Sequence, residues 1–328
     1  MWQEQLLAWY NQEKRDLPWR RNIDPYHVWI SEIMLQQTRV EAVIDYYHRW
    51  LAHFPSIEAL ANADEMEVLK CWEGLGYYNR ARNIHKSAKY CVNHYNGELP
   101  KSYEELLELP GIGSYTAAAI SSICHNEKQS AVDGNVLRVY SRLFMLDEDI
   151  SKQKTKDYVK KQLDTLIPDA SGDFNQAMME LGACVCIGNG ASRCNICPIS
   201  DACLSYQKGK IYEYPVKGKK KERRIEHRNV YIVKCNSRYL IRKRDSKGLL
   251  ANLYEFYNEV GNDWISGQNI ISNEYAQSYV HVFSHIEWHM QVYVVELQHP
   301  CDGLWVSKEE LSMYPIASAF DSCRQYVI

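Results

Sequence analysis

Four cysteines fall within eighteen residues of this chain: Cys186, Cys194, Cys197 and Cys203. Thiols packed so densely restrict the fold to one that cross-links them or gathers them around a shared counter-charge. The other seven, Cys71, Cys91, Cys124, Cys184, Cys235, Cys301 and Cys323, are scattered. The opening residues carry Glu4 and show neither a basic stretch nor a small-residue cleavage site, so they do not read as a secretory leader. The expected location is the cytoplasm, where thiols stay reduced and disulfides are disfavoured. A metal centre is then the natural reading. Zinc favours paired Cys-x-x-Cys units. Here one such unit, Cys194 with Cys197, is flanked by single cysteines at wider spacing. That arrangement leans towards a cubane iron–sulfur cluster and leaves zinc open.

A length of 328 residues suggests two domains or one large one. With 46% hydrophobic and 24% charged residues, the composition is that of a folded soluble chain. No apolar run approaches the roughly 20 residues of a membrane helix. A net charge of −3 argues against nucleic-acid binding through bulk positive charge. The distribution says more. Lys217, Lys219, Lys220, Lys221, Arg223, Arg224 and Arg228 stand against Glu222 and Glu226, and a second group holds Arg238, Arg242, Lys243, Arg244 and Lys247. In isolation such runs read as a solvated linker and a charged hairpin.

Residues 1–206 read as mostly helical. The stretch 28–51 lacks Gly and Pro and sets Trp29, Ile33, Val40, Ile44 and Tyr47 at helical spacings, which predicts a long first helix. Residues 64–72, 79–95 and 103–109 are similar, with Gly and Pro between them. Residues 207–228 are polar and basic and predict a linker. Beyond it, 229–234, 238–242 and 291–297 are rich in Val, Ile and Tyr and predict strands. A smaller α/β domain is expected over 229–328.

Three segments carry candidate chemistry. Leu109-Pro110-Gly111-Ile112-Gly113 separates a Leu-rich helix from Tyr115-Thr116-Ala117-Ala118. Glycines at a helix start leave N–H groups open to an anion, so a phosphate can be held there without net positive charge. Twenty residues later, Asp133-Gly134-Asn135 opens another helix, where Asp133 alone would read as an N-cap. On the first long helix, Glu32 has Val28 and Trp29 one turn before it and Leu35 and Gln36 one turn after. Burial of that face would raise its pKa and make it a proton donor near neutrality.

The segment Trp29-Ile30-Ser31-Glu32-Ile33-Met34-Leu35-Gln36-Gln37-Thr38-Arg39-Val40 closely resembles the signature of the MutY-type adenine glycosylases, members of the helix–hairpin–helix endonuclease III superfamily. The hairpin and the stretch around Asp133 resemble the same superfamily. The resemblance implies a multidomain protein, with a mainly α helix–hairpin–helix glycosylase body (1–206), a basic linker (207–228) and a Nudix-like α/β domain (229–328) that recognises the lesion. It implies a [4Fe–4S] cluster on Cys186, Cys194, Cys197 and Cys203. The family has six residues between the first two ligands where this chain has seven, and Cys184 is the fallback for Cys186. Arg193 would meet DNA phosphate beside the cluster.

By the same resemblance Glu32 would protonate the departing adenine, Asp133 would stabilise the sugar cation and Asn135 would orient Asp133. Tyr115 would help orient Asp133 or shield the cation. Where strand-nicking relatives carry a lysine, this chain has Gly113-Ser114-Tyr115-Thr116. A Schiff base at that position is excluded, and the enzyme should be monofunctional.

Leu17-Pro18-Trp19-Arg20 resembles a strand lining the adenine pocket, which assigns Trp19 and Arg20 to substrate. Gln37 and Thr38 would contact the opposite base. Leu75 and Tyr77, in a Gly-Leu-Gly-Tyr-Tyr loop, would approach the base stack, and Gly111 and Gly113 would hold phosphate. Phe283-Ser284-His285 resembles the loop that reads 8-oxoguanine. The implied partner is duplex DNA with adenine opposite 8-oxoguanine or guanine, bound by a monomer with no role at a membrane. No Glu-rich metal box follows Gly248, so the second domain should bind and not hydrolyse nucleotides. The competing readings are a bifunctional endonuclease III-like lyase, a non-catalytic iron–sulfur DNA-binding protein and a Nudix pyrophosphohydrolase.

Overall fold

The computed structural model describes residues 1–188, 190–218, 222–261 and 263–327. Lys219, Lys220 and Lys221 of the basic run, and Asn189 of the cysteine loop, lie outside the described residues. The chain forms two compact units. One comprises Met1–Asn62 with Asn83–Lys219, the other Ala63–Arg82 with Lys220–Ile328.

The first unit is helical. Its Pro25–Leu35 helix is capped by Asp24, which accepts from the His27 N–H at 3.0 Å, and Pro25 occupies the first turn, where no helical N–H is needed. Tyr26, Val28, Trp29, Ile30, Ser31, Glu32, Ile33 and Met34 are all buried. A helix covered on every side runs through the middle of a core. The long helix predicted over 28–51 is in fact two. The chain breaks after Leu35, Gln37 takes a left-handed φ of 58°, and a second helix runs over Val40–His53. Neither Gly nor Pro marks this break, so composition could not reveal it.

The predicted hairpin joins the helices Tyr103–Leu107 and Ser114–His125. Gly111 sits at φ 78°, and a Cβ there would lie 2.5 Å from the Asn83 Cβ, so only glycine fits the turn. Ala117, Ala118, Ala119 and Ile120 are fully buried. Their size lets the Ser114–His125 helix pack closely against Pro25–Leu35 and Ser171–Cys184. The core continues through Leu6, Tyr10, Val136, Leu137, Phe174 and Met178. Each such side chain stabilises the fold by about 1.5–3 kcal/mol on burial. Residues 17–20, read as a strand, are instead part of a helical turn, Pro18–Arg21, started by its proline.

The second unit is built on a six-stranded sheet: β1 (Arg224–Cys235), β2 (Arg238–Lys243), β3 (Tyr254–Glu259), β4 (Ile270–Val282), β5 (Ile286–Leu297) and β6 (Leu304–Val306), in the order β4-β5-β1-β3-β2-β6. β1 and β5 run parallel, from Arg224 beside Ile286 to Lys234 beside Glu296. The other pairings are antiparallel. β1 begins at Arg224, inside the stretch read as linker. The second basic group is not a free charged hairpin, because Arg242 and Arg244 both bind the buried Glu255.

Residues 63–82 belong to this unit. Asp64 caps the Glu65–Cys71 helix by accepting from the Met66 N–H. Glu73 accepts from the Ile316 N–H at 3.2 Å and from Arg324. Lys70 donates to the Tyr314 carbonyl, and Arg82 to that of Ala251. Among the described residues, no helix is long and apolar enough to cross a membrane.

Candidate active site

Three helices of the first unit bring Glu32, Tyr115 and Asp133 together. Glu32 is 6% exposed. Burial pushes its carboxyl up to about 7, and the nearby charge of Asp133 adds to the rise. Tyr115 and Arg20 pull the other way. The Tyr115 hydroxyl donates to Glu32 Oε2 at 2.6 Å and contacts Met179 Sδ at 3.2 Å. The orienting contact expected between Tyr115 and Asp133 is thus made to Glu32.

Asp133 is the N-cap of the Gly134–Phe144 helix, with Oδ1 accepting from the Val136 N–H at 2.7 Å. Asn135 Nδ2 donates to its other oxygen at 2.8 Å. Burial raises the pKa of Asp133 too, against these donors and the charge of Arg138. Asp133 therefore has the better-solvated negative charge of the pair, because Glu32 accepts from a single hydroxyl. Loss of a proton from the two together puts the charge on Asp133 first.

Two features of this region have no counterpart in the sequence reading. Arg138 Nη2 donates to Asn135 Oδ1 at 2.8 Å and its Nε to the Cys186 carbonyl at 2.7 Å, which ties the Asp133 support to the cysteine loop. Gly182 permits this approach, since a Cβ there would lie 2.6 Å from the Asn135 Cβ. Glu180, 1% exposed, receives Arg15 Nε at 2.7 Å and Arg20 Nη2 at 2.9 Å. Burial would raise its pKa, but the two arginines hold it down at about 2. The signal in the sequence was a glutamate inside the apolar run 177–184. Trp19 is buried with its ring edge-on to Tyr47 at 5.4 Å.

The remaining sites are placed as follows. Gln37 is exposed in the turn after Leu35, and Thr38 half-buried. Gly111 and Gly113 are exposed at the start of the Ser114–His125 helix. In the second unit Leu75 is buried beneath its turn, whereas Tyr77 is 51% exposed. Ser284 and His285 are exposed between β4 and β5. Phe283 packs edge-on against Trp288 at 4.9 Å, and Ser284 Oγ lies 3.1 Å from the Tyr77 hydroxyl.

Cys186, Cys194, Cys197 and Cys203 are free thiols against one side of the helical core. Cys197 lies within electrostatic reach of the other three. Arg142 Nη1 donates to Cys186 Sγ at 3.2 Å. Cys184 lies apart from this set, its sulfur 3.7 Å from Glu180 Oε1. Among the described residues, no three His, Cys, Asp or Glu side chains close on a point that holds a single metal ion. Four thiols within mutual electrostatic reach, with Arg142 on one of them, are a donor set of the kind that holds an iron–sulfur cluster. Arg193 is exposed beside them.

The profile of the HhH-GPD superfamily base excision DNA repair proteins matches residues 30–168, and that of the NUDIX domain matches 229–325. The fold agrees. A thermostable thymine-DNA glycosylase superposes with a TM-score of 0.56 at 29% identity, covering 63% of this chain and 95% of that one. Endonuclease III in a non-covalent DNA complex gives 0.54 at 25% identity, over 63% and 94%. The helical unit with its hairpin and paired acids is therefore that of a helix–hairpin–helix base-excision repair protein. Over its whole length, the chain is 32% identical to the adenine DNA glycosylase of Mus musculus, across 96% of this chain and 75% of the mouse protein. It is 33% identical to that of Buchnera aphidicola subsp. Baizongia pistaciae, across 94% and 87%, and 31% identical to that of Homo sapiens, across 96% and 71%. The chain belongs to the adenine DNA glycosylase family.

Proposed function

We propose that this chain is a monofunctional adenine DNA glycosylase that removes adenine paired with 8-oxoguanine or guanine from duplex DNA. The observation that carries the reading is the buried carboxyl of Glu32 beside the half-buried, hydrogen-bonded carboxylate of Asp133. Adenine leaves poorly as an anion. Glu32, about half protonated near pH 7, gives its proton to a ring nitrogen of the flipped base. The N-glycosidic bond then breaks with its electron pair on the base, and the sugar is left as an oxocarbenium-like cation. Asp133, held by Asn135 and Val136, faces that cation with its negative charge. Water adds to the sugar and returns a proton to Glu32. Without a lysine at 113–116 no Schiff base forms, and the strand stays intact.

Trp19 and Arg20 line the adenine pocket in this reading, and Glu180 holds Arg20 in place. Tyr77, two residues after the buried Leu75, enters the base stack, Gln37 and Thr38 contact the base opposite the adenine, and Phe283, Ser284 and His285 recognise 8-oxoguanine. Gly111 and Gly113 present N–H groups to phosphate. The second unit reads the lesion and does not hydrolyse nucleotides.

The deciding experiment is single-turnover release from a duplex with adenine opposite 8-oxoguanine, read with and without alkali. The expected products are free adenine and an abasic strand that breaks only after alkali. Breakage without alkali would identify a lyase. Tight binding with no release would leave an iron–sulfur DNA-binding protein.

Cys186, Cys194, Cys197 and Cys203 would hold a [4Fe–4S] cluster, which when bound supplies structural bracing and a positive counter-charge to the thiolates. The protein is expected to carry about four iron atoms per chain with matching sulfide. Cys197→Ser should lose both, and Cys184→Ser should keep both. Iron retained in the first variant, or lost in the second, would reassign the ligands.

A further inference from the structure

The turn that carries Tyr77 is an unusual piece of backbone. Gly74, Gly76 and Tyr77 all take positive φ, at 98°, 68° and 47°. For an aromatic residue this conformation is costly and persists only when its surroundings impose it. Arg80 and Trp72 impose it. Arg80 Nη2 donates to the Leu75 carbonyl at 3.0 Å and to the Gly76 carbonyl at 3.2 Å. Its guanidinium lies over the Trp72 ring at 5.1 Å and the Tyr77 ring at 5.6 Å. Trp72 Nε1 also donates to the Gly76 carbonyl, at 3.0 Å. A fully buried indole thus grips the turn from below, and a planar cation locks the same carbonyls and backs the exposed ring.

We propose that Arg80, seated on Trp72, is the positioning residue that sets Tyr77 in its stack-entering conformation. The proposal rests on the reading of Tyr77 as the residue that enters the DNA stack. Arg80 touches no reacting atom. It acts on the backbone that aims the ring, and it works as a fork of donors, which a lysine reproduces only in part. Burial lowers its pKa to about 10, which leaves it charged at neutral pH.

The test uses the full chain with its cofactor and a duplex with a non-cleavable 2′-fluoro adenosine opposite 8-oxoguanine. A 2-aminopurine sits next to the 8-oxoguanine and brightens when the stack is opened. Binding is brought to saturation by anisotropy, so that brightness reports wedge entry and not affinity. Wild type and Glu32→Gln are expected to brighten, and Tyr77→Ala is not. Arg80→Met should cut the brightening about tenfold, as when charge-assisted hydrogen bonds holding one of two turn conformations are removed. Arg80→Lys should recover part of it, and melting should show both variants folded.

Undiminished brightening in folded Arg80→Met would overturn the proposal. No brightening in wild type would overturn it differently, by removing the wedge role of Tyr77. If Arg80→Met does not fold, Trp72→Phe decides: it keeps an aromatic face under Arg80 and removes the donor to Gly76 along with the second ring of the indole. Reduced brightening in that variant supports the proposal and unchanged brightening sinks it.

Discussion

Glu32→Gln is expected to lower single-turnover adenine release by at least about 10³-fold, near the upper range for loss of a general acid, while affinity for the mispaired duplex stays within a few-fold. The amide fills the same space and still accepts from Tyr115, but it has no proton to give. The pH dependence follows from the same burial. Wild-type release should fall as pH rises through about 7, where Glu32 loses its proton. It should also fall towards acid as Asp133 is protonated, giving a bell whose limbs belong to the coupled pair. Stability gives an independent check. The folded state raises the Glu32 pKa from 4.5 to about 7, so burying the ionised form is unfavourable. That cost is absent below pH 4.5, grows between 4.5 and 7 and is constant above, at roughly 3 kcal/mol by the shift. Glu32→Gln removes it. Chemical denaturation should find the inactive variant more stable than wild type at pH 8 and no more stable at pH 4. Equal stability at both, or substantial release at neutral pH, would show that Glu32 is not the buried acid.

Asp133→Asn is expected to lose about 10³-fold in base release, the scale of removing one preorganised electrostatic partner, with little change in melting temperature. Asparagine caps a helix as well as aspartate does, so the bond from the Val136 N–H survives. What changes is the other oxygen. An amide nitrogen there would face the Asn135 Nδ2 donor, while Asn135 Oδ1 is already committed to Arg138. The charge opposite the sugar cation disappears and the donor pair repels. A variant that melts many degrees lower would mean that Asp133 serves mainly the fold. One that releases adenine at the wild-type rate would remove it from the chemistry.

The acids were legible because each sits in a dense local motif whose neighbours determine its surroundings. Glu32 on a helix apolar all round had to be buried, and Asp133 before Gly-Asn had to open a helix. The hairpin was legible for the same reason, through Gly111. What stayed hidden depends on contacts distant in sequence. Glu180 meets Arg15 and Arg20 across more than 150 residues, and no local pattern announces that pairing. The break at Gln37 carries no breaker residue. β3 and β4 escaped notice because β3 carries two glutamates and an asparagine and β4 is an edge strand with mostly exposed side chains, so neither shows a long apolar run. In the loop read as approaching the base stack, Tyr77 is exposed and Leu75, two residues before it, is buried.

The partition of the chain has a consequence for how it can be cut. It enters the sheet-containing unit at residue 63, leaves at 82 and returns for good after 219. The two units are interleaved along the polypeptide and are not beads on a string. A truncation near residue 210 removes contacts that residues 63–82 make within their own unit: it strips Glu73 of Ile316 and Arg324, Lys70 of Tyr314 and Arg82 of Ala251. Exchanging the C-terminal unit with its contacts intact means moving residues 63–82 together with it, as one graft in two pieces.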